Sequence, residues 1–299
     1  MKKHSDDRRW LAASHIVLIL FSIIVIVPFV LLLVASFTDN KWAAVNGFTF
    51  FPGEWSIEAY KYISSQWSTI GRGYLMTIVV TAIGTFGSVM LTSMYAYGLA
   101  DEKLPGAKIL SFLTVFTMLF SGGIVASYYC WSNVFHIRDT IWALVLPGLL
   151  MNAFNVILVK NYYKFSIPGE LLEAAKIDGA TEFRVFWKIV FPLSVPIIVT
   201  IGLMTGLMYW NDWTNGLYYL TQRGGSKLYT VQIILNQINE NLTFLSQNAS
   251  NAGNVNVAEL PSTTVRMAIA IVGVLPVMII YPFFQRFFVK GITLGGVKG

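Results

Sequence analysis

The 299-residue chain is 55% hydrophobic and only 12% charged, against roughly a quarter charged in a soluble domain, and its mean hydropathy of +0.61 excludes an ordinary soluble globule and calls for lipid-facing helices. The net charge of +6 is scattered among apolar stretches, so it points to membrane topology and not to nucleic acid. A single cysteine, Cys130, excludes an intramolecular disulfide, and three dispersed histidines offer no metal cluster.

Six stretches are free of Asp, Glu, Lys and Arg: Leu11–Thr38, Gly73–Ala100, Ile109–Ile137, Thr140–Val159, Ile189–Asn211 and Met267–Gln285. Each is close to or above the roughly 20 residues that cross a hydrocarbon core as helix. Helices also satisfy their own backbone groups, which lipid cannot do. The sequence therefore predicts an all-α polytopic membrane protein with six transmembrane helices. The first stretch is too long for a cleavable signal peptide and lacks a small-x-small cleavage site. On the second, Gly84, Gly87 and Ser88 can let helices approach closely. On the third, the run Phe120-Ser121-Gly122-Gly123 marks a candidate break, and only Arg138 and Asp139 separate the third stretch from the fourth. Pro196, Pro276 and Pro282 would bend the later helices.

With the N-terminus inside, fourteen of the 21 Lys and Arg residues fall on inner segments, which places both termini in the cytoplasm. The chain then reads as one transmembrane domain over 1–299, with an inner loop at 163–192 and outer loops at 39–72 and 214–262. The second outer loop is rich in asparagine (Asn236, Asn239, Asn241, Asn248, Asn251, Asn254 and Asn256), and Asn241-Leu-Thr and Asn248-Ala-Ser match a glycosylation pattern that is short enough to arise by chance. Two readings fit it: a solvated loop, or a contact with an external partner.

The inner loop is the most informative segment. From Phe165 to Pro192 it reads as two short helices joined by a sharp turn. Ser166 can cap the first, Pro168 suits its first turn, and Glu170 complements the dipole there. Gly179 can end it in the left-handed conformation, and Thr181 can cap the second. Phe183, Phe186, Trp187 and Val190 then fall at helical spacing on one apolar stripe. With Glu170, Glu173, Lys176, Asp178, Glu182, Arg184 and Lys188, the segment does not belong in lipid. Two roles fit: a compact elbow that docks into a cleft on another protein, or an amphipathic loop on the membrane surface.

Here a family resemblance enters. Glu173-Ala174-Ala175, Asp178-Gly179-Ala180, Ile189 and Pro192 resemble the EAA loop of ABC importer permeases. Pro28 to Phe37 resembles the first-span signature of the carbohydrate branch. Trp210-Asn211-Asp212-Trp213 is similar to that branch's Trp-Asn-Asp/Glu-aromatic motif. Gln285 to Thr293, with Gly295 to Gly299, is similar to its C-terminal signature. Within that branch the chain resembles the second permease subunits of maltose-type importers, and Phe120 to Gly123 with Trp210 to Trp213 resemble the permeases for complex oligosaccharides such as aldouronates. One departure is Tyr74-Leu75-Met76-Thr77, where the family usually has Asn-Ser or Asn-Thr.

The resemblance implies a type I importer: a second permease subunit, a cytoplasmic ATPase dimer, an extracellular sugar-binding protein and an oligosaccharide moved inward across the bacterial plasma membrane. It implies that Glu173, Ala174, Ala175, Asp178, Gly179, Ala180 and Pro192 couple to the ATPase. Glu173 would pair with a basic residue there, and Gly179 would set the angle between the two coupling helices. The chain has no Gly-x-x-x-x-Gly-Lys-Ser/Thr run, so ATP belongs to a separate subunit. No cofactor is expected.

For the solute path, residues that stack on and hydrogen-bond to sugar rings are wanted. Tyr209, Trp210, Asn211, Asp212 and Trp213 offer both, and they equally suit an aromatic belt at the lipid boundary. Asn152 and Asn155, three apart, would share a helix face, either towards the path or as glue between helices. Rival classes carry weaker signals. An integral membrane enzyme would need a catalytic constellation, and the stretches show none. A proton-coupled carrier would need ionisable groups within its spans, where only His15 and His136 stand, each near a span end. A further alternative within the same machine is an ABC permease for peptides or other solutes; the resemblance at the Trp210 motif and the C-terminal tail argues against it.

Overall fold

A computed structural model describes residues 2–101, 103–248 and 262–294. Among these residues the chain is built of helices, with one isolated antiparallel bridge between Thr38 and Trp55. Among the described residues three helices are long and apolar enough to cross a membrane, or up to five if each of two bent pairs counts as one span. The chain divides into two compact units, residues 1–68 with 237–275, and residues 69–236 with 276–299.

In the first unit, α1 (Lys2–Ser36) carries an apolar run from Trp10 in which every residue to Val30 is exposed. A helix that is apolar on all sides must be covered by lipid or by another chain. Its C-terminal end is anchored: Ser36 Oγ lies 2.8 Å from Tyr60 Oη, and the Phe37 and Tyr60 rings are 4.7 Å apart. Two short helices follow, α2 (Asn40–Asn46) and α3 (Glu58–Ser65). Asp39 starts α2 by accepting from the backbone N–H groups of Lys41 and Trp42.

The second unit opens on most of α4 (Trp67–Ala100) and continues through α5 (Ala107–Leu119) and α6 (Gly123–Tyr129), the last extended by a π-helical turn to Val134. The run Ala107–Leu119 meets Gly123–Val134 at 118°, so the break expected at Gly122–Gly123 is present. Gly123 sits at φ 76° with nothing within 4 Å of where a Cβ would be, so backbone conformation and not space demands glycine there.

The charge-free stretch Thr140–Val159 is not one helix. It splits into α7 (Trp142–Val145), an irregular run through Pro147 and Gly148 at φ 70°, and α8 (Ala153–Ser166). Pro147 removes a backbone donor inside the stretch, and counting uncharged residues is blind to that. The segment 168–193 gives α9 (Gly169–Ile177), α10 (Glu182–Val185), a π-helical turn at Phe186–Val190 and α11 (Phe191–Leu193). The chain then bends by 80° at Ser194 into α12 (Val195–Asn211). Pro196, on the first turn of α12, cannot donate to the carbonyl four residues back, which places the bend here. α13 (Thr214–Tyr219) and the start of α14 (Val231–Asn248) complete this part.

Two apolar cores hold the second unit. One joins Ala96 and Leu99 of α4, Val156 and Val159 of α8, Val185, Phe186 and Val190 of the segment 168–193, and Ile201 of α12. The other joins Val80 of α4, Leu144 and Val145 of α7, Tyr209 of α12, Tyr219 of α13 and Ile233 of α14. Gly84 lets α4 and α12 meet: a Cβ there would lie 2.6 Å from Tyr209 Cε1 and Cε2. Back in the first unit, Arg266 Nη2 on α15 (Ser262–Leu294) donates to Thr243 Oγ1 at 3.0 Å, and Thr263 Oγ1 bonds Asn40 Oδ1 at 3.3 Å. α15 continues past Pro276 and Pro282. The C-terminal motif from Gln285 to Thr293 is helical, while Asn251, Asn254, Asn256 and Gly295 to Gly299 lie outside the described residues.

Candidate coupling elbow and solute path

The segment 168–193 folds as an elbow. α9 ends in a Schellman turn: Ala180 N–H donates to Ala175 O at 2.9 Å, Gly179 N–H donates to Lys176 O at 3.1 Å, and Gly179 takes φ 77°. Thr181 Oγ1 accepts from Arg184 N–H at 3.4 Å and starts α10. Both devices match the sequence expectation. Two details differ. Ser166 caps nothing, because it closes α8 and α9 begins at Gly169 behind Pro168. The apolar stripe also shifts: Phe186 and Val190 are buried as expected, but Phe183 is 66% exposed and Val185 is buried in its stead. The π-helical turn explains this. Bonding five residues apart brings Val185 and Val190 onto one face, where a 3.6-residue period brings Phe183 and Phe186.

Glu173 and Ala174 are exposed on α9, while Ala175 and Ala180 pack against the core beneath. Asp178 and Pro192 are exposed as well. Glu182 ties the elbow together. Its Oε1 accepts Lys176 Nζ at 2.7 Å, and its Oε2 accepts the Tyr97 hydroxyl of α4 at 2.7 Å. The bond to the Glu182 carboxylate raises the Lys176 pKa above its ordinary value. Between the elbow and the end of α4 lies a cleft of about 630 Å³, bordered by Asp101, Lys103, Lys164, Glu173 and Lys176. The elbow thus offers charged walls and exposed apolar tips (Leu171, Ile177 and Phe183) on one compact body seated on α4, α8 and α12.

The path candidates divide by role. Tyr209 is buried and donates to Val145 O at 2.7 Å. Trp210 is buried 6.3 Å from the Tyr74 ring. Asp212 Oδ1 accepts from Thr214 and Asn215 N–H, capping α13. Asn211 and Trp213 are exposed at the same helix end. The two asparagines do not project side by side from one helix. Asn152 is the cap of α8 in extended backbone, its Oδ1 accepting from Phe154 and Asn155 N–H. Asn155 is buried, and its Nδ2 donates to Thr205 Oγ1 of α12 at 3.2 Å.

Residues 104–294, a span that contains the elbow and the Trp210 motif, match the family described as "Binding-protein-dependent transport system inner membrane component". The chain belongs to that family. The permease is 39% identical to the polygalacturonan/rhamnogalacturonan transport system permease protein YtcP of Bacillus subtilis, over 94% of this chain and 96% of that one. It is 36% identical to protein LplC of the same organism, over 92% and 90% of the two chains. Its fold is similar to a chain in the crystal structure of a bacterial ABC transporter involved in the import of the acidic polysaccharide alginate, with a TM-score of 0.75 and 24% identity over 95% and 98% of the chains.

Three further positions in the permease carry structure that the sequence reading passed over. Thr77, inside the run that departs from the usual family pattern, is fully buried; its Oγ1 accepts Val231 N–H at 2.9 Å and so caps α14. Asn215 Nδ2 donates to Pro147 O at 3.0 Å, holding the irregular run before α8. Asp139, at φ 59°, locks the 221–225 turn: Oδ1 accepts Thr221 N–H at 2.6 Å and Oδ2 accepts Thr221 Oγ1 at 2.8 Å. Gly224 and Gly225 are required against it, since a Cβ on either would lie 2.6 Å from a carboxylate oxygen. Asp139→Ala leaves Thr221 without its acceptors, a loss of about 1.5–3 kcal/mol for bonds to a charged group. Faster proteolytic cleavage within 221–225 is the expected result, with Asp139→Asn intermediate; equal cleavage of all three chains would refute the lock.

Proposed function

We propose that this permease is one of two transmembrane subunits of an ATP-binding cassette importer that moves an oligosaccharide inward across a bacterial plasma membrane. The observation that carries the reading is the exposed elbow, with Glu173 and Ala174 outward and Ala175, Val185, Phe186 and Val190 seated on α4, α8 and α12. A body so placed receives a push from a cytoplasmic partner and passes it to the spanning helices as a rigid shift. The polygalacturonan/rhamnogalacturonan relative supports a sugar as the solute. An ATPase dimer, a second permease and an extracellular sugar-binding protein complete the assembly, and membrane lipid covers the rest.

In this reading 1–299 is one permease domain with six crossings and cytoplasmic termini. α8, together with the irregular approach that Asn152 and Asn215 hold, makes the fourth crossing. Glu173, Ala174, Ala175, Asp178, Gly179, Ala180 and Pro192 form the ATPase-coupling surface. Asn211 and Trp213 face the path, and Tyr209, Trp210, Asp212, Asn152 and Asn155 hold their helices in place.

The test is the complex purified with its natural partners and reconstituted with the binding protein. Glu173→Lys reverses an exposed charge without disturbing the core, so stimulated ATP hydrolysis should fall by an order of magnitude or more, the scale of about 1.4 kcal/mol. Undiminished hydrolysis with the ATPase still bound would sink the coupling role.

A further inference from the structure

We propose that Glu182 is a two-armed positioning residue through which displacement of α9 reaches the spanning helix α4. The inference rests on the reading of the elbow as the ATPase's docking element, and it adds the route by which force leaves it. The two elbow helices are joined through the Gly179 turn, an exposed left-handed glycine with nothing within 4 Å of its Cβ position. A turn of that kind fixes a local angle but resists bending poorly. The Glu182 carboxylate supplies the brace. One oxygen holds Lys176 on α9 at 2.7 Å, and the other holds the Tyr97 hydroxyl on α4 at 2.7 Å, a bond between residues 85 apart in the chain.

Beneath the carboxylate, Tyr97 is fixed by rings. Its centroid lies 5.4 Å from that of Phe186 in the elbow and 6.5 Å from that of Tyr163 on α8, both buried. Movement of Tyr97 is movement of α4, and α4 meets α12 where Gly84 receives the Tyr209 ring. A continuous chain of contacts therefore runs from Lys176 to α12. Glu182 touches neither solute nor nucleotide in this scheme.

Exposure separates this role from a stabilising one. The Lys176 and Glu182 side chains are 44% and 61% exposed, and exposed ion pairs contribute little to folding. Breaking the arms should therefore change coupling and leave stability alone.

The test uses the full complex in proteoliposomes, with labelled oligogalacturonides as the transported probe. ATP hydrolysis, uptake and Tm are measured for Glu182→Ala, Tyr97→Phe and the double variant. Tyr97→Phe keeps the ring and removes the hydroxyl. Each single variant should retain the ATPase and the Tm of the unaltered complex, while solute moved per ATP falls roughly three- to tenfold, the range one hydrogen bond spans. Because the two residues share one bond, the double variant should be no worse than Glu182→Ala alone. An unchanged ratio of uptake to hydrolysis overturns the strut. So does a parallel loss of uptake, hydrolysis and Tm, which marks a purely structural residue. Failure of the ATPase to copurify with the unaltered chain overturns the docking reading and the strut with it, and is told apart because no variant is involved.

Discussion

Gly84→Ala is expected to lower the Tm of the detergent-purified permease by several degrees and to cut its yield. In an ordinary helix the same change stabilises by up to about 1 kcal/mol, because alanine is the better helix former. Here the new Cβ lands 2.6 Å from Tyr209 Cε1 and Cε2. The ring cannot swing aside cheaply: Tyr209 is 1% exposed, and its hydroxyl donates to Val145 O at 2.7 Å. The helices must part or the ring must leave, at about 1–3 kcal/mol for overpacking and about 1 kcal/mol more for the hydrogen bond. Gly202→Ala is the control, since its Cβ would meet Val89 Cγ2 at an ordinary 3.6 Å. That variant should hold or raise the Tm. Shortening the ring in Gly84→Ala/Tyr209→Leu should recover part of the loss, because the two substitutions share one contact. Equal Tm values for Gly84→Ala and Gly202→Ala would show that the α4–α12 approach is looser than described.

Gly179→Val tests the elbow from its backbone. Nothing lies within 4 Å of the Cβ position, so the substitution meets no steric obstacle; it meets only φ 77°. A left-handed residue with a side chain costs about 1–2 kcal/mol, and a β-branched one is the least tolerant. The cheapest relief is to open the turn, which breaks the bonds from Ala180 to Ala175 O and from Gly179 to Lys176 O and rotates α9 away from α10. Uptake and stimulated ATP hydrolysis should both fall by roughly an order of magnitude, the scale of that cost. Gly179→Asn should retain most activity, since asparagine visits this conformation readily. Valine performing as well as asparagine would mean that the angle of the elbow does not matter to coupling.

Much of the elbow was legible in the sequence because its devices are local. A glycine ending one helix and a threonine starting the next need only neighbours along the chain, and Gly179 and Thr181 do what their spacing indicates. The break at Gly122–Gly123 was legible for the same reason. In the stripe from Phe183 to Val190, Phe186 and Val190 are buried where the spacing puts them, and Val185 replaces Phe183 because periodicity assumes 3.6 residues per turn and a π-helical turn intervenes. The fourth stretch misled because absence of charge measures solubility in lipid, not continuity of helix, and Pro147 breaks it.

What the sequence by itself determined is therefore the apolar, helical character of the described residues, the local turn chemistry of the elbow and membership of the transport family. Only the tertiary structure decided which polar groups meet: Glu182 with Tyr97, Asp139 with Thr221, Thr77 with Val231 and Asn155 with Thr205. Each of those pairs lies 50 or more residues apart in the chain. No spacing rule reaches that far, because which side chains face each other across two helices is set by how their apolar faces pack, and packing is a property of the assembled fold.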